Sequence, residues 1–218
     1  MSYPYPLVVF DLDGTLVDSA ADIAEALNRT LEDIGMARVP EATVLGWIGD
    51  GVRRLVEQAV HAAGREVDLA EVMPVFMVHY RECLLRSPRL FDGVAEALMQ
   101  LRARGVPLAI CTNKPEALVP PLLQHLGIGD AFALVLGGDS LPQRKPSGEP
   151  LRHIAAHFGL AVDACLMVGD SLTDYRAAEE AGMPIALVRY GYPRGLDLAT
   201  AQAVAVIDDL RELPGLQG

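Results

Sequence analysis

Leu7-Val8-Val9-Phe10-Asp11-Leu12-Asp13-Gly14-Thr15-Leu16-Val17-Asp18-Ser19 is the stretch whose reading decides the fold. It opens on an unbroken apolar run, the pattern of a buried strand, and stops on two carboxylates spaced i, i+2, then a glycine and a threonine. Two acids at the carboxyl end of a buried strand cost stability unless a cation or a reaction uses them. In an open α/β sheet that edge is also where ligands bind.

Outward from this stretch, helical periodicity runs over 20–34, with Asp18 or Ser19 as cap and Gly35 as terminator. Two further helical segments cover 49–63 and 69–85, and no strand is expected between Val17 and Pro88. From Arg89 the pattern changes to alternation. Helices are expected over 93–104, 116–126, 151–158 and 175–181, interleaved with strands over 106–111, 132–136, 165–168 and 185–188, and a short strand over 204–207. Short apolar strands alternating with helices imply an α/β fold, a Rossmann-like, mostly parallel sheet covered on both faces. The helical block interrupts that alternation directly after the first strand. It reads as an inserted small α-helical cap domain over 17–87, with 1–16 and 88–218 forming the core. A cap joined beside the carboxylates could close over the sheet edge and exclude water; the bland alternative is a helical decoration without a gating role.

At 218 residues and 51% hydrophobic, the chain can bury one good core plus a smaller second unit. The net charge of −11, with no basic patch, argues against nucleic acid as a partner. The apolar runs fall short of a membrane span, and Met1-Ser2-Tyr3-Pro4-Tyr5-Pro6 lacks the basic and apolar regions of a signal peptide, so a cytoplasmic location without a membrane partner is expected. Cys83, Cys111 and Cys165 lack metal-ligand spacing, and the latter two, inside apolar runs, read as core thiols. His61, His79, His125, His153 and His157 form no ligand spacing either and read as surface or interface residues.

Three more segments carry chemistry. The second strand ends on Thr112-Asn113-Lys114, whose hydroxyl, backbone donors and cation suit a phosphate or carboxylate oxygen, although Thr-Asn also caps helices. Lys145-Pro146 follows the breaker-rich Gly137-Gly138-Asp139-Ser140, and alone its lysine would read as a surface charge. However, the chain uses sixteen arginines and only two lysines, Lys114 and Lys145. A flexible point charge is a different tool from a planar fork, so both positions are expected to have specific work. A later strand ends on Gly169-Asp170-Ser171-Leu172-Thr173-Asp174. Helix capping explains one of these acids comfortably, but not both when Asp11 and Asp13 end another strand. Four acids converging on one edge repel unless a hard cation sits between them, and Mg²⁺ fits best: oxygen ligands, retained water and a phosphate oxygen to complete the shell.

The chain resembles the haloacid dehalogenase-like phosphatases. Asp11 to Thr15 is similar to the family's Asp-x-Asp-Gly-Thr motif, Thr112-Asn113 to its second motif, Lys145-Pro146 to its third, and Gly169-Asp170-Ser171 with Asp174 to its fourth, all in family order over nearly the whole chain. Within the family the chain resembles the bacterial phosphoglycolate phosphatases, through Val44-Leu45-Gly46-Trp47-Ile48-Gly49-Asp50-Gly51, Gly137-Gly138-Asp139-Ser140-Leu141-Pro142-Gln143-Arg144-Lys145-Pro146 and Tyr190-Gly191-Tyr192-Pro193-Arg194-Gly195. It departs from them at Ser147-Gly148-Glu149-Pro150, usually more proline-rich, and at Gly51-Val52-Arg53-Arg54, where a second glycine-rich turn is expected.

The resemblance implies a Mg²⁺-dependent phosphomonoester hydrolase. Asp11 would attack phosphorus to form an aspartyl-phosphate, and Asp13 would act as acid and then base. Asp11, the Asp13 carbonyl and Asp170 would hold Mg²⁺, with Asp174 supporting them by hydrogen bonds. Thr112, the Asn113 backbone and Lys145 would grip the phosphoryl oxygens. The implied substrate is 2-phosphoglycolate, a small phosphorylated metabolite, handled by a monomer or homodimer. Arg53 and Arg54 are candidates for its carboxylate, reading equally well as solvated helix charge, and Lys114 is a further substrate-binding candidate, whereas Trp47 and Tyr80 read as cap core. An acid at the Asp13 position argues against dehalogenation, and a cap without lysine excludes a Schiff-base phosphonate hydrolase. Sugar-phosphate or nucleotide phosphatase, pyrophosphatase and β-phosphoglucomutase-like activity stay open, as does a catalytically silent phosphate-binding protein.

Overall fold

The computed structural model describes residues 3–217; residues 1, 2 and 218 of the expected core lie outside them. The opening apolar run becomes β1 (Val8–Phe10), fully buried on both faces. Just beyond it the Leu12 carbonyl accepts from the amides of Leu16 and Val17, both at 2.9 Å, and this turn buries Leu12 and Leu16 completely.

The chain then forms β2 (Val17–Asp18), which pairs antiparallel with β3 (Arg89–Leu90), Val17 opposite Leu90. This corrects the expectation of no strand between Val17 and Pro88. Two residues are too few to show alternation, and β2 exists only because a distant segment pairs with it. Between the two strands lie α1 (Ala20–Asp33), α2 (Glu41–Leu45), α3 (Val52–Ala62) and α4 (Leu69–Cys83). The short α2 has no counterpart in the sequence reading, since a single turn carries no readable period. In α1 the buried stripe is Ile23, Leu27 and Leu31, and in α4 it is Val72, Phe76, Tyr80 and Cys83. The two helices pack against each other. At their base the buried Asp22 accepts from the Ser87 amide at 3.1 Å and the Ser87 hydroxyl at 2.6 Å, tying the end of the helical insert to its beginning.

From β3 onward the alternation is α5 (Val94–Ala103), β4 (Leu108–Cys111), α6 (Val119–His125), β5 (Leu134–Leu136), α7 (Glu149–His157), β6 (Leu166–Gly169), α8 (Leu172–Ala181), β7 (Ile185–Val188) and β8 (Ala205–Ile207). Among the described residues the main sheet has six strands in the order β5-β4-β1-β6-β7-β8, every pair parallel. Side chains alternate across it. Val8, Phe10 and Ile110 join a core with Leu98, Leu101 and Leu122 on one face, while Leu7, Val9 and Ala109 join Leu151, Ile154 and Ala177 on the other. Both faces are covered, as the sequence pattern implies. Because β1 lies between β4 and β6, with later strands added outward on each side, the carboxyl ends of three central strands face one crevice. All three cysteines are buried free thiols.

Phe76 is fully buried and sits 5.3 Å, centroid to centroid, from Tyr80. Phe76→Ala is expected to cost about 3–5 kcal/mol, read as a lowered midpoint in chemical denaturation; an unchanged midpoint would mean that the helical insert does not depend on this stripe.

Candidate active site

β1, β4 and β6 deliver Asp11, Thr112 and Asp170 to the same crevice, and the first turn of α8 adds Asp174. Asp11, Asp170 and Asp174 are all buried, and each offers an oxygen within 4.8 Å of the others. Lys145, itself 2% exposed, places Nζ 2.7 Å from Asp11 Oδ1 and 2.6 Å from Asp174 Oδ1. One ammonium thus sits between two of the three carboxylates, leaving the cluster short of positive charge. Burial, then repulsion from Asp174, pushes the Asp11 carboxyl up to about 7 despite Lys145. Burial, then Asp174 and Asp11, holds Asp170 well above the usual carboxylate range. Burial works against the Lys145 charge, but Asp11 and Asp174 outweigh it and raise its pKa.

The acids differ in what else they touch. Asp174 has both oxygens engaged: Oδ1 by Lys145, and Oδ2 by the Ser171 hydroxyl at 2.6 Å and the Ser171 amide at 3.1 Å. Ser171 also accepts from the Asp174 amide, so the pair forms a capping box and α8 begins at Leu172, three residues before the expected start. Asp170 accepts from the Thr15 hydroxyl and the Tyr192 amide, both at 2.7 Å. Asp11 lines the open pocket. An all-oxygen donor set with this charge excess fits a hard divalent cation, and magnesium is the cofactor it suits. Gly14, at φ +97°, and Gly191 leave the room that Asp170 occupies; a methyl group on either would overlap its side chain.

Asp13 sits at the mouth of the cluster. Its Oδ1 accepts from the Ser19 hydroxyl at 2.6 Å and from Lys114 Nζ at 3.0 Å. Lys114 Nζ also donates to the Tyr80 hydroxyl at 2.5 Å. Burial opposes the Lys114 charge, but Asp13 and Tyr80 outweigh it and raise its pKa. Tyr80 therefore does more than fill the cap core: it is buried among cap side chains, yet its hydroxyl reaches a pocket-lining lysine. Trp47 packs partly buried against the cap core. The pocket, about 410 Å³ including its mouth, is lined by Asp11, Asp13, Thr112, Asn113 and Lys114 from the core, and by cap residues such as Ile48, Leu55 and Tyr80.

Thr112 Oγ1 accepts from the Lys114 amide at 3.2 Å, which leaves its own proton to donate. Asn113 uses its side-chain amide as a brace, donating to the carbonyls of Gly49 and Lys145, both at 2.8 Å. Beside it, Asp50 accepts from the Thr173 hydroxyl at 2.7 Å and from Arg194 at 2.5 Å, so the loop before α3 is fastened to two core segments. Arg53 and Arg54 are not brought to the cluster. Their side chains are 60% and 57% exposed and pair with Glu57 at 3.1 Å and 3.4 Å. Sequence reading makes Ser19 a helix cap and Thr15, Asp50, Tyr192 and Arg194 members of motif stretches, but it assigns none of the five to the hydrogen bonds they make here.

The haloacid dehalogenase-like hydrolase profile matches residues 5–182. The chain is 42% identical over 218 residues to the plasmid phosphoglycolate phosphatase of Cupriavidus necator, covering 99% of this chain and 94% of that one. It is 39% identical over 198 residues to the phosphoglycolate phosphatase of Colwellia psychrerythraea, covering 88% of each. A crystal structure from Haemophilus somnus, described as a predicted phosphoglycolate phosphatase, superposes with a TM-score of 0.89 at 36% identity, covering 96% of both chains.

The raised carboxyls make metal binding compete with protons. Without metal, the folded chain keeps a proton on Asp11 between the ordinary carboxylate pKa and about 7, where the unfolded chain has lost it, and the raised Asp170 carboxyl acts in the same direction, so metal-free stability falls as pH rises above the ordinary carboxylate range. Magnesium needs both groups ionised. It is therefore expected to raise the melting temperature more at pH ~8 than at pH ~5, measured against chelated protein; equal shifts would count against carboxylate ligation.

Proposed function

The chain belongs to the haloacid dehalogenase-like hydrolase family, and from that premise we propose that it hydrolyses 2-phosphoglycolate to glycolate and phosphate through an aspartyl-phosphate on Asp11. The observation that carries the chemistry is the buried Asp11 carboxyl held 2.7 Å from Lys145 in a cluster of acids whose charge a divalent cation would balance. The substrate is supported by relatives named phosphoglycolate phosphatases that align over nearly the full chain.

In the first step an Asp11 carboxylate oxygen forms a bond to phosphorus while the bond from phosphorus to the ester oxygen breaks. Asp13, oriented by Ser19 and Lys114, gives its proton to the departing glycolate oxygen. In the second step Asp13 takes a proton from water, the water oxygen bonds to phosphorus, and the Asp11–phosphorus bond breaks to release phosphate. Lys145 and the Thr112 hydroxyl, with backbone amides at Asn113, hold the phosphoryl oxygens where charge builds up. Magnesium, held by Asp11, the Asp13 carbonyl and Asp170, would supply charge neutralisation and orientation, with Asp174 fixing Lys145 and the end of β6 by its hydrogen bonds.

Residues 17–87 act as the cap and 1–16 with 88–218 as the core. The enzyme is read as cytoplasmic, a monomer or homodimer with neither nucleic acid nor membrane as partner. A net charge of −11 supports this reading, and among the described residues no helix is long and apolar enough to cross a membrane.

Phosphate release should be magnesium-dependent and greatest with 2-phosphoglycolate in a panel containing hexose phosphates, nucleoside monophosphates and pyrophosphate. A clear preference for another member would overturn the substrate and leave the mechanism standing. Asp11→Asn should lower kcat by at least about a thousandfold while the protein still melts cooperatively; substantial residual turnover would remove Asp11 as nucleophile.

A further inference from the structure

We propose that Lys114 and Tyr80 together form the carboxylate-recognising subsite of this pocket, so that selectivity for a phosphorylated 2-hydroxy acid comes from a core lysine and a cap tyrosine rather than from the cap arginines. The inference rests on the phosphatase reading above and goes beyond it by assigning the residues that choose the substrate.

The argument starts from the position of the acid. Whatever ester is cleaved, its bridging oxygen must lie within hydrogen-bond reach of the Asp13 carboxyl that protonates it. In 2-phosphoglycolate a single methylene separates that oxygen from the carboxylate, so the carboxylate must lie close to Asp13 as well. Lys114 Nζ is 3.0 Å from Asp13 Oδ1. Among the described residues lining the pocket, Lys114 is the cation; the remaining cap wall includes Ile23, Ile48, Val52 and Leu55, which offer a carboxylate no side-chain donor. Arg53 and Arg54 stand on the outer side of α3, exposed and paired with Glu57.

The hydrogen-bond inventory leaves room for a guest. An ammonium has three donors: Lys114 Nζ meets the two oxygens of the single Asp13 carboxylate at 3.0 and 3.3 Å, a fork that one N–H can serve, and the Tyr80 hydroxyl takes a second. The Tyr80 hydroxyl, accepting from Lys114, retains its own proton to donate. A carboxylate can therefore meet one N–H and one O–H side by side, both from groups that are already buried and held. Tyr80 is 2% exposed and Lys114 4%, so neither has to be drawn out of water when the substrate arrives. Because Tyr80 belongs to α4 of the cap and Lys114 follows β4 of the core, a bound carboxylate also ties cap to core.

The test compares kcat/KM for 2-phosphoglycolate with that for ethyl phosphate, a similar ester without the carboxylate. Lys114→Met is expected to lower this ratio about 100-fold, and Tyr80→Phe, which removes only a hydroxyl, about 10-fold. If Lys114 served only to position Asp13, both substrates would slow equally and the ratio would stay at the wild-type value, which overturns the proposal. Should Lys114→Met fail to fold, as judged by its melting curve, the ratio measured for Tyr80→Phe decides alone. Arg53→Ala/Arg54→Ala is expected to keep the wild-type ratio; a drop matching that of Lys114→Met would move the subsite to the arginines. A wild-type enzyme that does not favour 2-phosphoglycolate over ethyl phosphate would instead refute the substrate reading itself.

Discussion

The repulsion among Asp11, Asp170 and Asp174 is the constraint on which the rest of the structure depends. Three carboxylates buried within 4.8 Å of one another, with one lysine between two of them, form an arrangement that a folding chain would avoid for stability alone. The surrounding backbone is organised to hold it. Two glycines clear space around Asp170, Ser171 and the start of α8 immobilise Asp174, and Lys145 is buried on a loop that its own sequence would place at the surface. A divalent cation would offset the charge that these buried acids share, which is why acids that cost stability are kept there.

A second set of contacts couples that cluster to the helical insert. Asn113 donates to the Gly49 carbonyl, Asp50 is clasped by Thr173 and Arg194, and Lys114 bridges Asp13 and Tyr80. Each of these reaches from a strand end, or the loop beside it, into the segment 49–80. The loop that carries Arg194 also donates the Tyr192 amide to Asp170. The position of the helical insert is therefore not independent of the acid cluster, because both are held through the same strand-end loops.

The fold and the reacting groups were readable because both are encoded locally. An apolar run stopping on Asp11 and Asp13 is a strand end carrying acids in any context, and the same reading at Thr112 and Asp170 gives three central strands of one parallel sheet. The rarity of lysine marked Lys114 and Lys145, and both are buried in the site. What failed to be legible was also systematic. The two-residue β2 and the five-residue α2 are too short to display a period. Tyr80 continues the buried stripe of Val72 and Phe76, so its periodicity reads as core, and only its hydroxyl at the far end distinguishes it. Arg53 and Arg54 lie next to the pocket residues Val52 and Leu55 in sequence, yet rotation around α3 carries them to its solvent side.

By itself, then, the sequence determined the layered α/β architecture, the interrupting helical insert and the acids and lysines at the strand ends, since strand and helix periods and charge placement are properties of neighbouring residues. Only the tertiary structure decided which oxygen each ammonium faces, which distant donors hold Asp170, and that the Tyr80 hydroxyl reaches Lys114. Those outcomes depend on how segments far apart in the chain approach one another, and a hydrogen bond of under 3 Å between them is a fact of packing that no local pattern carries.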